Sequence, residues 1–366
     1  MLPNTSLTVR VPGKLMIAGE FAVLEPYNKL AVLAVDRYVY TTIENSEQNL
    51  LTLENFNMVE LKWEFEGRKV VVDATDERTH FVANAMGIAL AYLNECGFTP
   101  EKFLLTVKSE LDDTGVKYGL GSSAAVVTSV VAAILEKYLP NKPEAHVIYK
   151  LAAITHAATQ GNGSGADVAA SSYGGILEYS SFQAYWLQKE YEQASSIKEL
   201  LERDWTYLSV QSLPYPQHLH LCIGWTGKPA STKKLVNELM KLKDNNIAKY
   251  EIFLSQSEKA VSSFLTGVKE DNPMLVINGI KQNRRALADV GKEANVEIET
   301  PLLTKLCDIA EQYDGAGKPS GAGGGDCGIA FLPTKEKADQ VKRAWEEAGI
   351  RVLDLAVSES GAKRVR

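Results

Sequence analysis

Hydrophobic and polar positions follow two different rhythms along the first half of the chain. SLTVRV (6–11), AVLAVDRYVYTTIE (31–44) and RKVVVDA (68–74) are rich in Val, Ile, Tyr and Thr and partly alternate, which predicts strands separated by bends at Glu-Asn and Glu-Gly pairs. From Thr79 the period changes: Phe81, Val82, Ala85, Ile88, Ala89, Tyr92, Leu93 and Cys96 recur at helical spacing, and Gly97 follows as a stop. KFLLTVKSEL (102–111) reads as strand again. A helix then runs to Leu139, ended by Pro140, and another follows Pro143 and ends near Gly161.

Residues 181–205 mix charges and aromatics without a clean period, and LPYPQ (213–217) reads as a connector. The chain is therefore divided there, into 1–212 and 213–366. The second part opens with the strand HLHLCIGW (218–225), continues with helices over about 231–243, 245–265, 273–294 and 301–313, and closes with strand GIAFL (328–332), helix EKADQVKRAWEEAG (336–349) and strand RVLDLAV (351–357). Strands and helices interleave without a repeated βα unit, which points to an α+β fold rather than a doubly wound sheet.

Composition narrows the partners. With 366 residues, 45% of them hydrophobic and 23% charged, the chain can build two cores. A formal net charge of −7 gives no long-range positive field for nucleic acid, and the closing AKRVR reads as a solvated terminus. The start, MLPNTSLTVRVPGK, has no apolar segment of signal-peptide length. The longest apolar stretch, 124–135, is interrupted by Thr128 and Ser129 and falls short of the roughly 20 residues a bilayer demands. Cys96, Cys222, Cys307 and Cys327 are scattered with no C-x-x-C pair, so neither a disulfide scaffold nor a zinc site is suggested, and a reducing cytoplasm is the expected location. His218 and His220 lack a third metal ligand and read as packed strand histidines; KLKDNN (241–246) and KQNRR (281–285) read as solvated helix faces.

Candidate chemistry lies in the glycine-rich segments. In YGLGSSAAVV (118–127), Gly119 and Gly121 allow close backbone approach, Ser122 or Ser123 can cap a helix, and the run behind them is apolar all round, hence buried. The first N–H groups of such a helix attract phosphate, and a spare hydroxyl suits Mg²⁺ beside phosphate oxygens. A plain capped helix after a tight turn is the alternative. In GAGKPSGAGGGDCGIAF (315–331), Gly323, Gly325 and Gly328 match G-x-G-x-x-G, but a helix precedes and a strand follows, the reverse of a dinucleotide-binding context. A loop closing over a phosphate chain fits better. GNGSGADVAASSYGG (161–175) puts Asp167 on the first turn of a short helix, where it either complements the dipole or serves catalysis. VPGKLMIAGE (11–20) sets Lys14 after a Pro–Gly turn, and GWTGKPASTKKL (224–235) sets Ser231 and Thr232 at a helix start.

Taken together, VPGKLMIAGEFAVL, GLGSSAAV and KPSGAGGGDCG resemble the three ordered motifs of the GHMP kinases, the superfamily of galactokinase, homoserine kinase, mevalonate kinase and phosphomevalonate kinase, and the likeness spans the chain. GNGSGADVAASSYGG and GWTGKPAST resemble the bacterial phosphomevalonate kinase branch, and Phe21 stands where mevalonate kinases and galactokinases usually carry histidine. The resemblance implies an N-terminal α/β domain with a left-handed βαβ crossover, a ferredoxin-like C-terminal domain, and ATP·Mg²⁺ with the acceptor between them. It implies ATP-dependent phosphorylation of 5-phosphomevalonate to 5-diphosphomevalonate by a monomer or homodimer with no nucleic-acid or membrane partner.

Carried over by position, Gly119, Leu120, Gly121, Ser122, Ser123 and Ala124 would hold the ATP phosphates, with Ser122 or Ser123 on Mg²⁺. Lys14 and Asp167 would form the catalytic pair. Lys117, Ser164, Ser231 and Ser320 would bind the acceptor phosphate, with Gly321 and Ala322 beside it. A phosphomonoester has a second pKa of about 6, so its attacking oxygen is already largely deprotonated near neutrality. Asp167 is therefore expected to orient Lys14 rather than to abstract a proton. The rival readings are a kinase for mevalonate or another small alcohol, an ATP-binding sensor without turnover, and a dinucleotide oxidoreductase.

Overall fold

The computed structural model of the protein describes residues 6–113, 116–161, 163–227 and 232–365. Its first layer is a nine-stranded sheet built on two long strands, β1 (Leu7–Ala18) and β2 (Lys29–Asn45). After them come β3 (Leu50–Leu53), β4 (Met58–Glu66), β5 (Lys69–Val72), helix α1 (His80–Glu95) and β6 (Phe103–Ser109). A two-stranded ribbon of β7 (Asp112–Asp113) and β8 (Val116–Lys117) leads into three helices, α2 (Ser122–Tyr138), α3 (Ala145–Gln160) and α4 (Ala166–Tyr173), and then β9 (Ile176–Ser180).

Helix α2 is buried along almost all of 124–135 because α1 and α3 flank it and β1 and β2 lie beneath it. An apolar surface without a polar stripe suits only such a place. Strand β1 departs from the sequence expectation. Pro12–Gly13 makes no turn; a bulge there shifts the register against β2, and the strand continues through Lys14. Proline has no N–H for the ladder, and a Cβ on Gly13 would sit 2.8 Å from the Leu120 carbonyl oxygen, so the pair accommodates a neighbouring backbone instead of reversing the chain.

The aperiodic stretch 181–205 holds two short helices, α5 (Ala184–Gln193) and α6 (Ile197–Glu202). Leu187, Ile197 and Leu200 are their buried anchors, too few per helix to show a period. Strand β10 (Ser209–Leu213) then closes one end of the sheet, whose order is β10-β9-β2-β6-β3-β4-β5 with β1 paired to β2.

The second part comprises β11 (His220–Trp225), α7 (Thr232–Asn245), α8 (Ile247–Lys269), α9 (Pro273–Glu293), α10 (Pro301–Gln312), β12 (Ala316–Pro319), β13 (Cys327–Leu332), α11 (Lys335–Glu347), β14 (Arg351–Val352) and β15 (Lys363–Arg364). Side-chain caps set several helix starts: Asn272 accepts from Leu275 N and Thr300 from Leu303 N, each just before a proline at the first helical position. The four-stranded antiparallel sheet runs β12-β13-β11-β14. Numbered within that sheet, the order is 2-3-1-4, the split β-α-β-β-α-β arrangement of ferredoxin-like folds with extra helices inserted. The α+β architecture expected from the sequence is the one observed.

Several local readings change. The glycine-rich 315–331 segment is a hairpin rather than one long loop, because its first residues form β12 with Lys318 fully buried. The closing strand is short, and only Arg351 and Val352 pair with β11. His218 is exposed and faces Asp271 at 3.2 Å, so it is not a packed strand residue. Arg284, in KQNRR, is not on a solvated face either; it is held by Glu299, Asp308 and Glu311. The basic C-terminal segment is also structured: β15 pairs with β1, and Ser358 N donates to Ala34 O. Among the described residues, no helix is long and apolar enough to cross a membrane.

Candidate active site

A cavity of about 340 Å³ lies where β1, the starts of α2 and α4, and the β12–β13 loop converge. Lys14 reaches it from β1, whose bulge brings its main chain against the 118–121 turn. Lys14 N donates to Leu120 O at 2.8 Å, and its Nζ donates to Gly119 O at 2.9 Å. The two glycines of that turn are each required by a neighbour. Gly121 adopts a φ of +78°, and a Cβ there would meet the Lys14 stem at 2.8 Å; Gly119 adopts +77°, and a Cβ there would meet the Asp326 carboxyl carbon at 2.7 Å.

Gly121 itself caps α2, in the left-handed conformation and with no side-chain bond. Neither serine is the cap, contrary to the sequence reading, and both hydroxyls are engaged elsewhere. Ser122 Oγ donates to Asp112 Oδ2 at 2.9 Å, while Asp112 Oδ1 is buried with no partner among the described residues. Ser123 Oγ lies 3.2 Å from His156 Nε2, on the inner side of α3, and the buried imidazole packs on Phe81. Leu120 and both serines line the cavity, whereas Ala124 is fully buried behind them.

Helix α4 is presented similarly, with Gly165 in the left-handed conformation as its cap. Ser164 Oγ accepts from Ala166 N at 3.3 Å, and Ser164 O accepts from the Tyr179 hydroxyl at 2.5 Å. Tyr179 is in turn hydrogen-bonded to Tyr149 at 2.8 Å, and burial holds both phenols above their ordinary range. Asp167 Oδ1 accepts from Val168 N at 2.9 Å. Lys14 and Asp167 both line the cavity but are not ion-paired with each other. The expected orientation of Lys14 by Asp167 is therefore absent: the ammonium is drawn to a peptide carbonyl, the carboxylate to a helix amide.

The third wall is the loop at 320–326. Ser320 Oγ accepts from Met16 N at 3.0 Å and donates to Met16 O at 2.9 Å, which stitches the loop to β1. Ser320 N closes the loop base on Cys327 O at 2.9 Å. Gly321 N donates to Glu20 Oε1 at 3.3 Å, and the same carboxylate pairs with Lys318. Beneath, the Cys327 thiol rests on Tyr118 O at 3.1 Å, and burial, with Asp326 adding to it, pushes its pKa up to about 12.

Of the residues selected from sequence, the cavity unites Lys14, Gly119, Leu120, Gly121, Ser122, Ser123, Ser164, Asp167, Ser320, Gly321 and Ala322. The Lys117 side chain and Ser231 lie outside the described residues. Sequence reasoning passed over Glu20, Asp112, His156 and Asp326, which also line it. Glu20 and Asp326 stood inside quoted motifs. Asp112 and His156 carry no local signal, since only the fold sets them beside Ser122 and Ser123.

This arrangement suits a polyphosphate: helix-start amides, serine hydroxyls and a lysine face one space. Its carboxylates Asp112 and Asp167 would repel such a ligand without a cation, whereas the charge of Glu20 is already matched by Lys318. The Ser122–Asp112 pair, with its partnerless buried oxygen, offers the hard oxygen donors that Mg²⁺ prefers. Among the described residues no cluster of three or more His, Cys, Asp or Glu would hold a metal alone, so phosphate oxygens would have to complete the shell.

Known proteins resemble this chain over nearly its whole length. Residues 82–175 match the GHMP kinases N terminal domain, and residues 272–351 match the GHMP kinases C terminal domain. The chain is 34% identical to a phosphomevalonate kinase of Streptomyces sp. (strain CL190), over 96% of each chain. Among solved structures, the Lin0012 protein of Listeria innocua superposes with a TM-score of 0.93 at 36% identity, covering 99% of both chains. The Streptococcus pneumoniae phosphomevalonate kinase in complex with phosphomevalonate and AMPPNP shares the fold, with a TM-score of 0.84 at 24% identity over 96% of this chain and 99% of that one. A glycine turn opening a buried helix, a lysine laid across it and relatives aligned from end to end lead to one assignment: this chain belongs to the GHMP kinases, in their phosphomevalonate kinase branch.

Proposed function

We propose that the protein transfers the γ-phosphoryl group of ATP to the phosphate of 5-phosphomevalonate, giving ADP and 5-diphosphomevalonate. The observation that carries this reading is the meeting of Lys14, the α2 start and the 320–322 loop in one cavity, in a chain alignable end to end with a phosphomevalonate kinase. An oxygen of the acceptor phosphate attacks the γ-phosphorus, and the bond from that phosphorus to the β–γ bridging oxygen breaks. With a second pKa of about 6 the acceptor phosphate needs no base near neutrality. The task is to bring two anions together, which is positioning and charge neutralisation.

Gly119, Leu120, Gly121, Ser122, Ser123 and Ala124 hold the ATP phosphates through the first amides of α2 and the two hydroxyls. Lys14, already extended along this turn, needs only to exchange the Gly119 carbonyl for phosphoryl oxygens. Ser122 and Ser123, with Asp112 behind the first, are the residues that would hold Mg²⁺. The ion, when bound, supplies charge neutralisation and polarises the phosphoryl oxygens. Ser164, Lys117 and Ser231 receive the acceptor phosphate, while Ser320 anchors the loop whose Gly321 and Ala322 backbone faces it. Asp167 tunes the field at the acceptor rather than taking a proton.

The test is ADP release with Mg²⁺·ATP, offering mevalonate and 5-phosphomevalonate side by side. Turnover with the phosphorylated acceptor alone is expected. Turnover with mevalonate instead would keep the kinase and overturn the acceptor; no turnover with either would point to a ligand sensor.

A further inference from the structure

The Glu20–Lys318 ion pair has no part in the reaction just described, yet it is among the most deeply buried charge pairs in the molecule. Lys318 is 0% exposed and Glu20 4%. The two are 298 residues apart, one in the turn that follows β1 and the other on β12. Burial of two charges is costly, and replacing such a pair by apolar groups is frequently neutral or stabilising. A fold that only needed to fill this space would do as well with methionine and leucine.

The hydrogen bonds around the pair indicate what it provides. Lys318 Nζ donates to Glu20 Oε1 and also to Pro319 O, the last carbonyl of β12 before the loop. The same Glu20 oxygen accepts from Gly321 N at 3.3 Å. One carboxylate oxygen therefore receives both the ammonium and the second amide of the loop. Glu20 Oε2 is buried with no partner among the described residues, so the carboxylate's hold is concentrated on Oε1. Across the cavity, a Cβ built on Gly321 would lie 4.0 Å from Lys14 Nζ, so the loop amide fixed by Glu20 belongs to the segment facing the Lys14 ammonium. Ser320 provides the adjacent stitch to β1 at Met16, the strand that carries Lys14.

We propose that Glu20 and Lys318 are positioning residues for phosphoryl transfer: the pair fixes the backbone at 319–321 relative to β1, and so sets the distance between the acceptor-side loop and Lys14. Neither residue touches the reacting atoms. The inference rests on the kinase reading above for its kinetic readout, and on amide exchange for a readout independent of it.

The experiment compares wild type, Glu20→Gln, Lys318→Met and the double variant. Each single variant strands a buried group and is expected to lower the melting temperature. The double variant leaves no charge behind and is expected to melt close to wild type. If the pair positions the loop, the double variant still loses tenfold or more in kcat/KM for 5-phosphomevalonate, its KM for ATP stays within about twofold, and amides at 320–326 exchange faster while those at 122–126 do not. If the pair only fills space, the double variant recovers wild-type kinetics and loop protection along with its stability, and the proposal is overturned.

Should the double variant not fold, Glu20→Asp keeps the charge while withdrawing the carboxylate by one methylene. A tenfold loss in kcat/KM then supports the positioning role, and wild-type kinetics overturn it. Absence of turnover in the wild-type protein would overturn the proposed function instead, and the exchange measurement would then decide the role of the pair.

Discussion

Two lysines, one lining the cleft and one buried beneath its third wall, are treated in opposite ways. Lys14 lies partly exposed on β1, and its ammonium is held by the neutral carbonyl of Gly119. Lys318 is sealed beneath the third loop with its charge matched by Glu20. A carbonyl orients an ammonium without cancelling its charge, so Lys14 keeps its field for an incoming anion. A carboxylate at contact distance cancels the field and leaves a joint. Residue type alone does not separate the two roles; the partner does.

The largest effect that would break this contrast is at Lys14. Lys14→Met keeps the aliphatic stem over Gly121 and removes only the charge. It should cost about 10²–10³-fold in kcat, as removal of one transition-state donor does, with the melting temperature nearly unchanged. A stability loss with little kinetic effect would reverse the roles assigned to the two lysines. Lys318→Met is the mirror image. It leaves Glu20 buried and unpaired and should cost about 3–5 kcal/mol in urea unfolding. A cost below about 1 kcal/mol, the range of surface pairs, would mean that Glu20 finds water or a proton with ease.

Asp167→Asn sharpens the comparison from the acceptor side. Asparagine preserves an oxygen for Val168 N, and a phosphate acceptor needs no base at pH 8, where about 99% of a group with pKa near 6 is deprotonated. Activity within about tenfold of wild type is expected at that pH, far above Lys14→Met. Equal loss in the two variants across pH would restore Asp167 as the base.

Glu178 occupies the middle ground. Burial alone would push its carboxyl up, but hydrogen bonds and charge from Lys269 and Lys29 outweigh that and hold it below the usual glutamate value. The group is thus more acidic folded than unfolded, so its stabilisation is present above the ordinary value of about 4.3 and is lost as pH falls through the lowered one. Because Lys29 and Lys269 are 54% and 49% exposed, solvent screens the pair. Glu178→Gln should cost only about 1 kcal/mol at pH 7, and nothing in acid. The smallest expected effect concerns the cysteines. With burial raising Cys327 to about 12, Cys222 to about 11 and Cys307 also well up, maleimide labelling at pH 8 should reach Cys96 first and leave turnover intact. Rapid labelling of Cys327 would show the wall below the third loop to be open.

Much of the cleft was legible in the sequence because its parts have local physical meaning. Gly119 and Gly121 before an apolar helix announce a backbone that must be approached closely, and Gly165 before Asp167 repeats the pattern. The α+β class followed from the order of strand and helix rhythms. What stayed hidden depends on residues far apart in the chain. Nothing near Ser122 announces Asp112 as its acceptor, and nothing near Ser123 announces His156. Strand β12 was hidden for another reason: Ala-Gly-Lys-Pro has poor strand character, and only the tertiary environment makes it one. Arg284 looked solvated because its three carboxylate partners come from beyond its own helix.

The pairing of β15 with β1 also has a consequence in time. Val9 and Arg10, among the first described residues to be synthesised, take Arg364 and Lys363 as their ladder partners, and Ala34 takes Ser358. Such contacts span nearly the whole chain, and topologies that depend on them close slowly. Synthesis delivers the N-terminal part first, and domains tend to fold in that order. Here the edge of the Lys14 strand at Val9 and Arg10 stays open until the ferredoxin-like part has been made and the chain has crossed back. The layer made before its neighbour is completed after it.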